Sequence, residues 1–577
     1  MKGRSLTESV QAYFHLVISP LLSASLCALI SLLCFTNTPQ NATDSPSSRS
    51  ELPLSQIFSF SAADAAPRPK KDKKRQRPTK QSITKKSKRP KPKLRKNSSK
   101  KQRRRTLKDE PDLNLKSLKA AFNRSLSKDS LSEAKVGYIV RDLKSGDTLL
   151  EYHADHMFHP ASNTKLATTA AAYHVLGPEE RFVTRWYIDE AHHLSDQKLG
   201  KGLTLYWRAS GDPKFLPEHM REIAKKIAQH LRKDRPSSKA LSISKLVIDD
   251  KDFTDQYLAP GFDQKPEDDS SYRAPNGGIG YAFNRFRASF SPNSKLNAPP
   301  HLSLDPQIPY FTINNQAITN KKGKEKLQFK AVESEKNQRM RLELGGSIPL
   351  RHKRVSISRR VGNPLIYAGQ GLLGELKRLG INVSMKVQRG EVPSKLEAIV
   401  VHKSAPVSEL IRDINVYSNN YMAEQLLLAM GLKVKNFGGW SQGQLVVKSY
   451  LDAIVGLSGY QYVNGSGLFG ETSFSPRMLS EVLVRVDKES NGHFRSFLPV
   501  AGKEGTLKKR LKDLPRGDFR AKTGTLDKVS TLCGYLKTRA QQELVLCLFM
   551  NDYKVKTWAI RSIQDELVSY LWLYKAV

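Results

Sequence analysis

Cysteine is scarce in this chain of 577 residues, which contains only four. Cys27 and Cys34 lie in an uncharged run, and each follows a leucine, which fits a lipoprotein cleavage site poorly. Cys533 and Cys547 lie in apolar stretches equally distant from Ala540. A hairpin would place them opposite each other, and an oxidising compartment would permit a disulfide. Two small core residues are at least as good an interpretation.

Acidic and aromatic residues are nearly missing from residues 68–108. This stretch has 22 Lys or Arg against the single acid Asp72, a net +21 of the chain's +40. With almost no apolar residue it cannot bury enough surface to offset the entropy of ordering, so residues 67–108 are predicted to be a disordered basic linker. Nucleic acid is disfavoured as a partner, because no recognition fold or interleaved aromatics accompany the charge. In an exported chain, an anionic envelope polymer or a membrane surface fits better, and a solvated spacer is the alternative.

Charged residues are also missing from residues 12–35, a run of 24. As a helix this run would extend about 36 Å, enough for a hydrocarbon core of about 30 Å. Basic residues before it predict that the remainder is exported to a periplasmic or other extracytoplasmic space. Residues 1–66 are therefore interpreted as a membrane anchor or signal region. An uncleaved tether is slightly preferred over cleavage near Ala63-Asp64-Ala65.

The length of the chain predicts two or three domains in the remainder. Residues 109–181 begin with a helical pattern, LKSLKAAFNRSL, followed by two strands around a Lys-Ser-Gly-Asp turn. Residues 182–396 contain short strands punctuated by Gly, Pro and Asn, which predicts one or two inserted β-rich domains. Residues 397–577 contain helices and then a strand, a hairpin and a final helix. We expect the first and last of these segments to form one catalytic domain in two parts.

Three short motifs follow one another in one order: Ser162-Asn163-Thr164-Lys165, Ser418-Asn419-Asn420 and Lys522-Thr523-Gly524. A serine three residues before a lysine is weak evidence alone, since the spacing recurs at Ser82 and Ser242. The serine of the first motif, however, opens a run of small residues that predicts a buried helix. Residues i and i+3 share a helix face, so Lys165 can reach the Ser162 hydroxyl.

Together these motifs predict serine acyl transfer, a chemistry that needs no metal or other cofactor. Ser162 would be the nucleophile and Lys165 its base, provided that burial and the nearby cation of Lys522 lower the pKa of Lys165. Ser418 could relay a proton to the leaving amine, and Asn420 could orient both the substrate and Lys165.

The residues that follow Lys522 on the same predicted strand are expected to hold the substrate. Thr523 would bind a carboxylate, Gly524 would allow close backbone approach, and the Thr525 N–H would be a second oxyanion donor. A histidine group before the first motif, His153, His156 and His159, has the spacing of metal ligands. Its place in the loop that leads to the nucleophile disfavours a metal site.

From about Val136 to Tyr574 the chain resembles the class C low-molecular-mass penicillin-binding proteins, the D-alanyl-D-alanine carboxypeptidase/endopeptidase (penicillin-binding protein 4-like) family. The resemblance rests on FHPASNTKLATTAAAYHVLG, RASGDPKF, VYSNNYMAEQL and RAKTGTL, and on the 256 residues between the first two motifs, where that family carries extra domains. It implies the α/β (α+β) penicillin-binding/β-lactamase-like serine transpeptidase fold, an antiparallel sheet with helices on both faces, interrupted by inserted β-rich domains.

The resemblance also implies a function: an exported serine DD-peptidase that hydrolyses D-Ala-D-Ala or D-Ala cross-links in peptidoglycan peptide stems, with β-lactam antibiotics as inhibitors. A β-lactamase or esterase of the same chemistry and a weakly active wall-binding protein are the alternatives. Two positions depart from the family pattern, since Gly470 replaces a common Arg and Asp527 a common Gln. A carboxylate of the inserted region, Glu267 or Asp268, is implied to hold the amine of the stem's diamino acid.

Overall fold

The computed structural model describes residues 107–189, 202–233, 242–334 and 339–576. The predicted anchor and nearly all of the predicted basic linker lie outside these residues. In the described ranges, no helix is both long enough and apolar enough to cross a bilayer. These ranges contain nine α-helices: α1 (Leu115–Leu126), α2 (Thr164–Leu176), α3 (Pro217–Arg232), α4 (Pro364–Arg378), α5 (Val407–Tyr417), α6 (Asn420–Lys435), α7 (Trp440–Ser449), α8 (Pro476–Glu489) and α9 (Thr557–Trp572).

The same ranges contain strands that form one antiparallel sheet and several sheets of the inserted region. In chain order these strands are β1 (Lys135–Asp142), β2 (Thr148–Tyr152), β3 (Val183–Asp189), β4 (Leu203–Arg208), β5 (Ser242–Asp249), β6 (Arg285–Ser291), β7 (His301–Asp305), β8 (Phe311–Asn315), β9 (Ile318–Asn320), β10 (Gln328–Ser334), β11 (Arg339–Gly345), β12 (Ser347–Pro349), β13 (Val355–Arg360), β14 (Asn382–Val383), β15 (Val387–Arg389), β16 (Val400–Lys403), β17 (Phe519–Leu526), β18 (Val529–Lys537) and β19 (Glu543–Asn551).

A five-stranded antiparallel sheet joins the two ends of the described chain in the order β17-β18-β19-β1-β2. One face packs on α1 and α9 through a core that includes Phe122, Leu546 and Leu567. The other face packs on α8, where the Tyr535 hydroxyl donates to the Leu483 carbonyl at 2.8 Å. This arrangement confirms the predicted antiparallel sheet with helices on both faces.

Two neighbouring inner strands, β18 and β19, are buried on both faces, since every residue except Lys537 and Glu543 is buried. Their register places Cys533 directly opposite Cys547, with the Cα atoms 4.1 Å apart, and the two residues form a disulfide. The sequence left this pairing open, because two small core residues fit the pattern equally well.

Between the first and second motifs, a larger mixed sheet has the order β14-β5-β4-β3-β16, with β15 also paired to β5. Three smaller sheets accompany it: β13-β6-β7, β10-β11-β8 and β12-β9. β16 lies just beyond residue 396, where the sequence placed the end of the inserted region. Helices α3 and α4 share the core of this region, and neither was predicted. The signal for α3 was present, since Met220, Ile223 and Ile227 recur at helical spacing and are all buried.

Helix α2 lies at the centre of the catalytic helices and contacts α5, α6 and α8. Its small Thr and Ala side chains let these helices approach closely, so residues 164–172 are all buried. The buried Thr169 hydroxyl donates to the Lys165 carbonyl at 2.6 Å and accepts from Asn415 Nδ2 at 3.2 Å. The last turn is partly exposed at His174, so the prediction of a helix buried all round is right only for its first part.

Candidate active site

The serine of the first motif lies on a tight turn that leads into α2. Ser162 is in a 3₁₀ turn over Ala161–Asn163, and Ala161 adopts a left-handed φ of 47° while completely buried. Two glycines close on this turn from other segments. A Cβ at Gly467 would lie 2.2 Å from the Ala161 carbonyl oxygen, and a Cβ at Gly524 would lie 2.6 Å from the Pro160 carbonyl oxygen. Glycine at both positions therefore allows the turn at Ser162 to be enclosed from two sides.

The Lys165 ammonium joins the first two motifs. Its Nζ donates to Ser162 Oγ at 2.9 Å, to Asn420 Oδ1 at 2.8 Å and to the Ser466 carbonyl at 2.8 Å. Burial lowers the pKa of Lys165 to about 7, and the nearby Glu424 carboxylate opposes this shift. At neutral pH a substantial fraction of the amine is therefore unprotonated and within reach of the serine hydroxyl.

The second lysine joins the other two motifs. Lys522 Nζ donates to Ser418 Oγ and to the Thr523 carbonyl, both at 2.8 Å. Burial, and then repulsion from Lys165, hold the pKa of Lys522 well below its ordinary value. The sequence predicted that burial and the cation of Lys522 would together lower the pKa of Lys165; in the structure burial lowers it, and the repulsion between the two lysines acts on the pKa of Lys522.

The second motif forms the break between α5 and α6. Ser418 ends α5 in a left-handed conformation, with φ of 55°, a backbone that costs a non-glycine residue about 1–3 kcal/mol. Asn419 then caps α6, since its side chain accepts from the Met422 N–H at 3.1 Å. The break directs Ser418 towards Lys522 and Asn420 towards Lys165.

The third motif lies on β17, the edge strand of the five-stranded sheet. The start of its outer edge is covered, because the Ala521 N–H donates to the Pro499 carbonyl at 3.2 Å and the Phe519 carbonyl accepts from the Ala501 N–H at 3.0 Å. Peptide groups along a strand alternate in direction, so Thr523 and Thr525 direct theirs to the same outer edge, beyond the covered part.

Two features of β17 support a close approach of other groups to this strand. A Cβ on Gly524 would lie 2.1 Å from Thr531 Oγ1 on the neighbouring strand, so only glycine fits. The Thr525 hydroxyl accepts from Arg561 Nη2 at 3.0 Å. Arg561 lies on the last helix, α9, outside any motif, and was not predicted from the sequence.

Two residues beside the Lys165 ammonium were also not predicted from the sequence. Ser466 contributes its backbone carbonyl, and Glu424 is a completely buried carboxylate. Glu424 Oε2 accepts from the Gly465 N–H and Oε1 from the Ser466 N–H, both at 2.8 Å. A charged residue inside the mostly apolar run MAEQLLLAM was the available signal, because a buried carboxylate needs partners.

The carboxylates implied for the substrate's far end differ in their surroundings. Asp268 accepts from the Ser270 N–H at 2.9 Å and from the Tyr272 hydroxyl, and the Tyr272 carbonyl accepts from Asn420 Nδ2 at 3.2 Å. The structure therefore brings this segment of the inserted region to the second motif. Glu267 is exposed beside it, and Asp527 is exposed in the turn after β17.

Gly470, which stands where the resembling family commonly has an arginine, is contacted by the inserted region. The Gly470 N–H donates to Gln264 Oε1 at 3.2 Å. The preceding Phe469 ring has the Lys265 ammonium 5.4 Å and the Arg273 guanidinium 5.8 Å from its centre. Two cations of the insert thus stand beside the loop in which the family commonly has its own arginine.

The histidine group before the first motif has local partners. The His159 ring accepts from the Ala161 N–H at 3.0 Å, a contact that supports the turn at Ser162. Burial lowers the pKa of His159. The His153 and His156 rings stack at 4.3 Å. Across the residues that the structure covers, no group of three or more His, Cys, Asp or Glu is arranged to hold a metal ion.

Comparison with known proteins gives three matches over most of the chain. A sequence profile of the D-Ala-D-Ala carboxypeptidase 3 (S13) family matches residues 118–572. A D-alanyl-D-alanine carboxypeptidase from an Actinomadura species is 28% identical over 447 residues, which is 74% of this chain and 80% of that protein. The D-alanyl-D-alanine carboxypeptidase DacB of Haemophilus influenzae is 24% identical over 464 residues, which is 77% of this chain and 91% of that protein.

The fold is also found among solved structures. The crystal structure of penicillin binding protein 4 (dacB) from Haemophilus influenzae superposes with a TM-score of 0.66 at 22% identity, covering 80% of this chain and 100% of that chain. The same protein complexed with a novel β-lactam gives a TM-score of 0.60. These matches confirm the penicillin-binding fold predicted from the sequence.

Proposed function

The chain belongs to the D-Ala-D-Ala carboxypeptidase 3 (S13) family, and from this premise we propose that it is an exported serine DD-peptidase acting on the peptide stems of peptidoglycan. The observation that carries the proposal is the contact between Lys165 Nζ and Ser162 Oγ at 2.9 Å, with the pKa of the lysine lowered to about 7. A base whose pKa lies near the working pH is efficient in proton transfer.

In the acylation step, Ser162 Oγ attacks the carbonyl carbon of the peptide bond between two D-Ala residues, and its proton passes to the neutral Lys165 amine. The backbone N–H groups of Ser162 and Thr525 stabilise the oxyanion. When the C–N bond breaks, the leaving amine takes a proton through Ser418, which accepts a hydrogen bond from Lys522 at 2.8 Å. Water then attacks the acyl-enzyme and releases the shortened stem.

The roles of the remaining site residues follow from their positions. Thr523 and Thr525 offer hydroxyl groups to the substrate's terminal carboxylate, and Gly524 permits the backbone approach. Asn420 orients the peptide while its Oδ1 holds Lys165.

We propose that exposed or half-buried carboxylates bind the far end of the peptide stem, where the diamino acid carries its side-chain amine. Asp268 is the better candidate than Glu267 for the side-chain amine, because its segment contacts Asn420. Asp527 would face the stem from the turn after β17.

Cleavage of terminal D-Ala and cleavage of D-Ala cross-links use the same steps and differ only in the leaving amine. The names of the two curated relatives support the carboxypeptidase reaction. Penicillin sensitivity is supported by the related protein that was crystallised with a β-lactam. Mass analysis of products from uncross-linked and cross-linked muropeptides would separate the two activities.

Export is proposed from the uncharged run at residues 12–35 and from the disulfide between Cys533 and Cys547, because disulfides persist in oxidising compartments. The uncharged run would tether the protein to the inner membrane. Residues 68–108 would then lie between membrane and wall, where their charge suits an anionic polymer or lipid surface. Fractionation of cells carrying the full chain and a variant that begins at residue 67 tests the tether.

The central experiment is covalent labelling by a fluorescent penicillin. Wild type should be labelled and Ser162→Ala should not. The matched control is Ser242→Ala, which removes a serine with the same spacing to a lysine, Lys245, in the inserted sheet; its labelling should equal that of wild type. Equal labelling of wild type and Ser162→Ala would refute the proposal. Rapid nitrocefin turnover would instead favour a β-lactamase.

A further inference from the structure

One face of α6 supports the Lys165 ammonium at two points. Asn420, the first residue of the helix, accepts from Lys165 Nζ directly at 2.8 Å. Glu424 lies one turn later on the same face, since residues i and i+4 are neighbours on a helix. Its carboxylate accepts the N–H groups of Gly465 and Ser466, and the Ser466 carbonyl in turn accepts from Lys165. The second support is therefore indirect and passes through a loop.

That loop is held closely against α6 and α2. A Cβ on Gly465 would lie 2.8 Å from the Ala423 carbonyl oxygen and 3.2 Å from Glu424 Oε2, so only glycine permits the approach. Thr168 Oγ1, on α2, donates to the Gly465 carbonyl at 2.7 Å. Asn464 Oδ1 accepts the next free N–H of the turn, from Gly467, at 2.9 Å. Thr168 and Asn464 thus hold the two sides of the loop, and Glu424 holds the N–H groups of Gly465 and Ser466 between them, so the Glu424 carboxylate contributes to the direction of the Ser466 carbonyl.

Both oxygens of Glu424 accept N–H groups, which is the pattern of an ionised carboxylate. The anion is completely buried, and burial raises the pKa of Glu424. Two further titratable groups stand near this pair. Lys522 faces Lys165 from β17, and the buried Tyr462 has its hydroxyl 2.9 Å from Thr168 Oγ1. Of these groups, only Glu424 carries a charge opposite to that of Lys165.

We propose that Glu424 is a positioning residue of this active site: it holds the Ser466 carbonyl on Lys165 and, as a buried anion, sets the pH at which Lys165 can take the proton of Ser162. The inference rests on the proposed function, since it assigns the regulation of that same site. Glu424 does not touch the reacting atoms and acts only through Lys165 and the loop.

The test is the pH dependence of the second-order rate of acylation by a fluorescent penicillin, measured in the full chain. In Glu424→Gln the charge is lost and the amide can accept only one of the two N–H groups. Loss of the anion disfavours the lysine cation, so the acidic limb of the profile should move to lower pH by about one unit. Loss of the bond that directs the Ser466 carbonyl should lower the plateau about tenfold.

The matched control is Asp487→Asn, which neutralises another buried carboxylate, one that pairs with Arg495 and does not influence the pKa of Lys165. Its acidic limb should stay in place. Glu424→Asp keeps the charge but withdraws it by one methylene, so it should keep the wild-type limb and lose plateau rate. This second variant keeps the proposal testable if Glu424→Gln does not fold.

The outcomes separate the two proposals. Normal acylation of wild type with an unmoved limb in Glu424→Gln, or with an equal shift in Asp487→Asn, would overturn the role of Glu424 and leave the peptidase intact. In the absence of a folded Glu424→Gln protein, an unchanged plateau in Glu424→Asp would overturn it. A wild-type protein that is not acylated would refute the peptidase proposal and this inference with it.

Discussion

Replacing Lys165 with arginine should abolish acylation at every pH, whereas the wild-type rate should rise about tenfold per pH unit and level off above about pH 7. The guanidinium is always charged and cannot accept the serine proton. The wild-type amine loses its charge easily because burial lowers its pKa from 10.5 to about 7. The position of the acidic limb therefore reports the protonation of Lys165.

The size of the effect follows from this shift. At pH 7 about half of the Lys165 amines are neutral, whereas an amine with the ordinary pKa would be neutral in about 0.03% of molecules. Burial thus increases the population of the competent base roughly a thousandfold. In free energy the difference between the two protonation states changes by about 5 kcal/mol.

The assay is the initial rate of labelling by a fluorescent penicillin from about pH 5 to about pH 9, with thermal unfolding to verify that each variant is folded. Lys433→Arg, at an exposed position on the last turn of α6, is the control and should reproduce the wild-type profile. A wild-type limb centred near pH 10, or a rate independent of pH, would refute the assignment of Lys165 as the base. Substantial labelling of folded Lys165→Arg would refute it as well.

Three further predictions concern the strands and the second motif. Removing the disulfide with Cys533→Ala and Cys547→Ala together should lower the free energy of unfolding by about 3 kcal/mol, measured by urea unfolding, and identical wild-type curves with and without reductant would contradict this. Gly524→Ala should destabilise the protein by about 1–3 kcal/mol and slow acylation at least tenfold, because its Cβ would lie 2.1 Å from a threonine hydroxyl. Gly345→Ala, where a Cβ meets nothing closer than 3.8 Å, should change neither value, and equal effects at both glycines would contradict the packing argument. Ser418→Ala should lower the acylation rate by about 10²–10³ while the protein stays folded, and a rate within threefold of wild type would exclude the proton relay.

The meeting of the motifs and several strands and helices could be foreseen from short-range signals, whereas the five-stranded sheet with helices on both faces was foreseen from the resemblance to the penicillin-binding family. β18 and β19 each contain an apolar stretch, and a run of small residues follows Ser162 into α2. The order of the three motifs favoured one catalytic domain in two parts, residues 109–181 and 397–577. Ser418 nevertheless follows Ser162 by 256 positions.

The rest depended on contacts that no local pattern encodes. Ser466 enters the site through its backbone carbonyl, so its side-chain identity gives no signal. Glu424 lies on α6, a helix that was predicted from its helical pattern without regard to its charged residue. Of the two causes predicted for the low pKa of Lys165, burial is confirmed and the charge of Lys522 is not, since the balance between them follows from three-dimensional packing. The disulfide depended on the exact register of β18 on β19, which a one-residue slip would abolish.

The partly covered edge of β17 has a consequence for aggregation of the protein. An exposed edge strand is a template on which another chain can extend the sheet, and long free edges promote aggregation. Here Pro499 and Ala501 occupy the start of the edge, and the turn at Asp527 ends it. The Thr523 carbonyl already accepts from Lys522 Nζ at 2.8 Å. The few remaining peptide groups of Thr523 and Thr525 cannot seed a stable foreign strand but can align a short extended peptide. A short peptide could therefore bind this edge as a transient strand, while the sheet would still not pair edge to edge with the sheets of other molecules.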